Sequence, residues 1–474
     1  MNEDWKKRIE EWFADKETQL VCDIARLVEI RSVKGEAGEG CPFGPGPAAV
    51  LSEALELCKE KGMLVTDYDH YVGTADLNDK KTIVNILGHL DVVDEGTGWT
   101  VTEPYTPKIV DGMLYGRGTD DDKGPVVAAL YAMQAVKELG VPLKYNARLI
   151  MGTDEESGSE DLKHYFAKEP FAPWSFTPDA GFPVTNVEKG SYKPTFTKTW
   201  EQSDVLPRVT ELHGGVRINV LPGEAVAVVK GIDPFTMGPL ALPIAKEMEV
   251  TYGMTEIAGG TRVRCQGTAA HASTPNEGNN AITALIALLA SLPLADCGST
   301  RAIQDLADLF PHGDCYGATL GIAQKDEVSG GLSVAFSLLE MTETGLEGRF
   351  DARVPICAND ENCRKVTERA FEERGFACKG QMDAPHYTPA EGPFIQTLLE
   401  CYEGYTGLKG ECLSTGGGTY VHDIPGGVAF GCGMPGFVSN LHGPDEHMSI
   451  ADTLTAAKIF AQVLVEMCGE ESTF

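Results

Sequence analysis

Nowhere does the chain carry a run of about eighteen apolar residues, so hydropathy gives it no membrane-spanning helix. The first residues, MNEDWKKRIEEWFADKETQL, have the spacing of a charged amphipathic helix and lack the apolar core of a secretory signal. The localisation expected is therefore cytoplasmic. Positive charge is scarce: 39 Lys and Arg face 70 Asp and Glu, a formal net charge of -31. Such a surface repels nucleic acid and anionic membranes, which leaves small solutes and metal cations as partners. No Cys-x-x-Cys pair occurs among the thirteen cysteines, which are scattered singly as expected of reduced, buried small side chains. Neither an internal repeat nor a low-complexity segment is present, so a solenoid and a long disordered tail are both excluded.

What is present is ample apolar material, 42% of 474 residues, enough for more than one core. Over residues 80 to 187 strand and helix patterns alternate, the signature of a mostly parallel sheet covered by helices. TIVNILGHLDVVDEG, Thr82 to Gly96, reads as a strand buried on both faces that ends in His89 and Asp91. ARLIMGTDEE is a second such strand ending in acids, and GVAFGCGMPG a third, much later one. From Glu188 to Pro385 the strands are shorter and glycines frequent, as in AVAVVKGI, TRVRCQGT and GLEGRFDARVP. The expected fold is α/β, with a discontinuous catalytic domain (1–187 and 386–474) and an inserted α+β domain (188–385).

Polar clusters stand at the ends of the apolar runs: His89 with Asp91, Asp120 to Asp122, Asp154 to Glu156, Asp179, and His442 with Asp445, Glu446 and His447. In open α/β sheets the loops after parallel strands converge on one crevice, so these clusters are expected to face one another. Taken alone, GRGTDDDKGP is an ordinary helix start, with acids at the N-terminus and Pro125 in the first turn. Gathered together, so many carboxylates repel one another unless cations neutralise them. Two imidazoles with several carboxylates and no thiolate suit zinc, manganese or cobalt. A carboxylate left off the metal can then accept a proton from water.

The order GHLDVV, YGRGTDDDKGP, GTDEESGS, PDAGFP, GTAAHASTPNEGNNAI, STGGGTY and HGPDE resembles the M20 family of di-metal peptidases, and within it the bacterial PepV-like dipeptidases. The resemblance implies two divalent ions, zinc first with manganese or cobalt as alternatives. Asp121 would bridge them, with His89 and Asp179 completing one position and Glu156 and His442 the other; His447 competes with His442, which the resemblance favours because the family histidine precedes the Asp-Glu pair. Asp91 would orient the His89 ring, and the bond between Asp121 and Asp122 would be cis. Glu155 resembles the general base and His271 the group that stabilises the oxyanion. Asn219, Arg353 and the backbone of Gly416, Gly417 and Gly418 resemble the groups that hold the substrate's terminal carboxylate.

The implied activity is hydrolysis of small peptides by an aminoacyl dipeptidase of broad specificity. Alternatives are an N-acyl-amino-acid hydrolase with the same metals and base, or a silent metal- or peptide-binding protein. The long middle segment implies a lid of two α+β halves and a chain that works as a monomer. One departure concerns substrate preference: after GGGTY the related dipeptidases continue with Ala-Arg, whereas this chain has Val421 and His422. His312 and Cys315, in PHGDC, lack the further ligands a second metal site would need.

Overall fold

The computed structural model describes all residues from Met1 to Phe474. They divide into two compact units, the first comprising Met1–Val187, Tyr387–Leu413 and Gly418–Phe474, the second Glu188–His386 and Ser414–Gly417.

The first unit is built on a mixed sheet whose order runs Leu64–Tyr68, Val72–Asp76, Asn146–Gly152, Thr82–His89, Trp174–Thr177, Gly427–Phe430 and on to Val184–Glu188. Its central strands are parallel: Thr82–His89 pairs in parallel with Asn146–Gly152 and Trp174–Thr177, and the latter with Gly427–Phe430. The flanking pairs are antiparallel. Successive side chains of Thr82–His89 serve opposite faces, so Ile86 joins one apolar cluster and Leu87 another. On the Ile86 face lie the helices Lys123–Glu138 and Ile450–Cys468, in contact with each other and with Thr82–His89. Lys123–Glu138 is buried from Lys123 through Val136, which explains its nearly uniform apolar sequence. The Leu87 face is closed by the helix Glu160–Phe166 and by Tyr420, Val421 and Ile424.

The second unit is an antiparallel sheet in the order Thr251–Ile257, Gly260–Gln266, Glu224–Lys230, Arg208–Gly214, Ser333–Met341, Gly345–Val354, Gly190–Tyr192 and Met382–Asp383. Pairing of Arg208–Gly214 with Ser333–Met341 joins the two halves that the length suggests into one sheet. A single apolar cluster, from Val209 and Leu285 to Phe350 and Phe371, runs beneath it, so the halves are not separate bodies.

The unit boundary also differs from a simple insertion of 188–385, because His386 and Ser414–Gly417 join the second unit. Hydrogen bonds explain the latter: Ser414 Oγ donates to Ser329 O, Lys189 N to Thr415 O, and Arg353 Nη1 to Gly416 O. All thirteen cysteines are free. No helix is long and apolar enough to cross a membrane.

Candidate metal centre and active site

Because the central strands run parallel, their carboxyl ends open on the same side, and each leads into an acidic or histidine-bearing loop. His89 ends the first of them. Its Nδ1 lies 3.0 Å from the backbone oxygen of Asp91, which fixes that nitrogen as the donor and leaves Nε2 for a ligand. Nε2 is 2.8 Å from Asp121 Oδ1 and 3.7 Å from Asp179 Oδ2. The second oxygen of Asp121 is 2.8 Å from His442 Nε2, and that nitrogen is 3.2 Å from Glu156 Oε1. Two groups of potential ligands result, His89, Asp121 and Asp179 on one side and Asp121, Glu156 and His442 on the other, with Asp121 common to both.

The neighbours of Asp121 do different work. Asp122 Oδ2 accepts the backbone N–H of His89 at 3.0 Å, and a side chain on Gly88 would meet that oxygen at 2.6 Å, so glycine is required there. The peptide bond between Asp121 and Asp122 is cis. Asp120 belongs to neither group. His447 stacks on Tyr115, with ring centroids 4.7 Å apart, and bonds through Nδ1 to Asp445 O, which leaves His442 as the histidine of this loop that meets the carboxylates.

Burial and the neighbouring acids govern the protonation of these groups. Burial disfavours a protonated His89, yet the carboxylates of Asp121, Asp179 and Asp91 outweigh it and hold its pKa well above the usual imidazole value. His442 is pushed up to about 10 by Asp121 and Glu156. Burial and the surrounding acids push Glu155 well above the usual carboxylate range, and burial raises Glu156 too. Divalent cations at the two groups would reverse these pressures, favouring neutral imidazoles and ionised carboxylates.

Residues 86–466 match the peptidase family M20/M25/M40. The chain belongs to this family. Among proteins similar to this M20 peptidase is "Putative dipeptidase YtjP" of Bacillus subtilis (strain 168), 35% identical over 461 residues that cover 95% of this chain and 98% of that one. "Putative dipeptidase SAUSA300_1697" of Staphylococcus aureus (strain USA300) is 29% identical over 476 residues, covering 98% and 100%. Human carnosine dipeptidase 1 shares the fold at a TM-score of 0.58 and 16% identity, with 98% of each chain covered. The Saccharomyces cerevisiae di-peptidase Dug1p does so at 0.56 and 13%, covering 97% of this chain and 98% of that one.

In this M20 peptidase the loop that carries Glu155 and Glu156 is held by three buried carboxylates. Asp91 Oδ1 accepts the N–H of Glu155 and Oδ2 that of Glu156, each at 3.2 Å. Its carboxylate also lies 3.5 Å from Nδ1 of the His89 ring, and its backbone oxygen 3.0 Å from it. Asp154 is paired with Lys34 at 2.6 Å and accepts the Ser157 hydroxyl. Asp161 takes the amides of Thr153 and Asp154 and the hydroxyl of Tyr420.

Within the second unit, Asn219 and His271 meet in a short ribbon, where Val220 pairs with His271 and Ala272 N donates to Asn219 O. The amide N–H of Ser273 donates to His271 Nδ1 at 3.2 Å and the Ser273 hydroxyl lies 2.6 Å from it. Nδ1 is thus an acceptor, and the neutral ring carries its proton on Nε2. Arg353 is held by Asp351 through Nε and Nη2, both at 2.9 Å, and reaches Gly416 O with Nη1. A side chain on Gly416 would meet Ser273 Cβ at 2.6 Å. Gly417 shares this unit, whereas Gly418 begins the returning segment of the first. His422 lies half-buried in the short helix Tyr420–Asp423, and His312 bonds through Nδ1 to the Thr283 hydroxyl at 2.9 Å.

Arg117 and Glu446 both lie within the sequence motifs, yet neither has a role that the sequence alone discloses. Their buried side chains pair with each other. Their separation along the chain leaves no local signal that they meet.

Proposed function

We propose that this protein is a cytoplasmic, broad-specificity aminoacyl dipeptidase that works with two divalent metal ions. The observation that carries this is the pair of ligand groups sharing Asp121, with the unliganded carboxylate of Glu155 next to Glu156. The residues fit such ions. The donors are imidazoles and carboxylates without sulfur, and Glu156 Oε1 is buried without a hydrogen bond although His442 Nε2 is 3.2 Å away. Zinc is the first choice for this donor set, with manganese and cobalt next.

His89, Asp121 and Asp179 would hold one ion and Asp121, Glu156 and His442 the other. Bound there, the ions supply Lewis-acid polarisation of the scissile carbonyl and acidify water. Glu155, ionised beside the cations, accepts the proton of the attacking water and returns it to the leaving amine. Asp91 fixes the backbone of Glu155 and Glu156 so that base and ligand keep their separate directions. His271 offers Nε2–H to the oxyanion, in the tautomer that Ser273 imposes. Asn219, Arg353 and the backbone N–H groups of Gly416 to Gly418 take the substrate carboxylate, with Arg353 held in place by Asp351. The active species we propose is a monomer.

The dipeptidase names of the relatives support the substrate class. The test is a panel of free dipeptides, N-blocked dipeptides, tripeptides and N-acyl amino acids, each assayed with zinc, manganese and cobalt. Free dipeptides should be cleaved best. Preference for N-acyl amino acids would replace this reading with an acylase, and no cleavage with any metal would leave a binding protein.

A further inference from the structure

Arg117 and Glu446 are 1% and 0% exposed and form an ion pair at the heart of the first unit. Burying two charges is costly, and apolar replacements of such pairs are often as stable, so stability alone is a weak account of this one. Its contacts point elsewhere. Glu446 Oε1 accepts the amide N–H groups of Gly118 at 3.0 Å, Asp120 at 3.1 Å and Asp121 at 3.3 Å, which pins the turn from which Asp121 projects. Arg117 Nη2 donates to His442 O at 3.2 Å and Gly443 O at 3.1 Å, and more weakly to Asp94 O at 3.4 Å. One pair of side chains therefore grips the Asp121 turn, the His442 loop and the loop that follows His89 and Asp91.

The His442 loop needs such a grip. His442, Asn440 and Asp445 all have left-handed backbone, with φ of 59°, 57° and 54°, a region that disfavours residues with a Cβ. The His442 side chain is half exposed, so packing does little to fix it. The loop is tied at His442 and Gly443 by the carbonyls that Arg117 holds, and further on by Asp445, whose carboxylate accepts the N–H groups of Thr100 and Val101. The first group shares Asp121 with the second, but its histidine does not depend on the pair: His89 is buried at the end of a central strand and tied by Asp91 O.

We infer that Arg117 and Glu446 are positioning residues that set the register of His442 against Asp121, and so tune the second metal position more than the first. This rests on the two-metal reading above. It goes beyond it by giving the two positions separate controls, one in the sheet and one in a buried ion pair. The guanidinium fork matters more than its charge, since a single ammonium cannot hold Glu446 and two carbonyls in the same geometry.

The experiment is a titration of metal-free, full-length protein with Co(II) against a competing chelator, read by visible absorption and bound-metal content. Wild type should take up two equivalents in resolvable steps. In Arg117→Lys the second step should be weakened about ten- to a hundred-fold, the range typical of residues that orient ligands, and the first step less. Glu446→Gln, which sets an amide N–H₂ against Arg117, should weaken the same step, and it serves if the lysine variant does not fold. The unfolding midpoint of the metal-free protein is measured alongside. Equal weakening of both steps, or a lower midpoint with unchanged steps, would overturn the inference and leave two metals standing. Fewer than two equivalents in wild type would overturn both.

Discussion

Asp91 accepts the backbone N–H of Glu155 at 3.2 Å, so the acid at the end of one strand fixes the acid that begins the loop after the next. Its other oxygen does the same for Glu156. Asp91→Asn keeps one acceptor but sets an N–H₂ against the second amide. It should lower kcat about ten- to a hundred-fold. The ion at His89 should remain, because that ring is held by the Asp91 backbone. Steady-state kinetics with bound-metal analysis checks this; loss of the His89 ion first would return the carboxylate to the role of orienting the imidazole.

Glu155 belongs to neither ligand group. Glu155→Gln removes the base and leaves the donors, so metal content should stay at two equivalents while kcat falls by about 10²- to 10⁴-fold, the usual weight of general-base catalysis. Activity within a few-fold of wild type would move the base to Asp154 or Glu156.

These two residues show what can be read from a sequence and what cannot. His89, Asp121, Glu156 and His442 stand in short motifs at the ends of apolar runs, and a parallel sheet brings such ends together whatever the loops do in detail. The amide contacts of Asp91 depend on how one loop bends over its neighbour, and no residue type announces that. Arg117 and Glu446 pair across most of the chain. The same limit governs the second unit: strand patterns are legible, but the register that joins Arg208–Gly214 to Ser333–Met341 and makes one sheet is a tertiary fact. Ser414–Gly417 reads as part of the returning catalytic segment, and only its hydrogen bonds to Ser329, Lys189 and Arg353 assign it otherwise.

His312, in the second unit, should give a pH dependence of stability. Burial lowers its pKa below the ordinary 6.5, against a weaker opposing effect of the Met248 backbone. A depressed imidazole pKa means that the unfolded chain binds the proton more readily, so this contribution to stability is complete above pH 6.5 and is lost as pH falls below it. Urea unfolding at about pH 7.5 and about pH 5.5 should show a smaller loss for His312→Gln than for wild type. An equal loss in both proteins would mean that His312 is protonated in the folded state at the lower pH.

Ser273 provides the test of the oxyanion assignment, because it acts on His271 without replacing it. Its amide N–H and hydroxyl both address Nδ1, and together they keep the proton on Nε2. His271→Ala removes a donor to the developing negative charge and should cost about 10²- to 10³-fold in kcat, as loss of one oxyanion donor does elsewhere. Ser273→Ala keeps the amide contact and loses only the hydroxyl, so the ring stays in the same tautomer with a weaker hold. Its kcat should fall by less than that of His271→Ala, with KM nearly unchanged, since the ground-state carbonyl gains little from this donor. A rise in KM with kcat preserved in either variant would instead assign His271 to binding the ground-state substrate, and the oxyanion would need another partner.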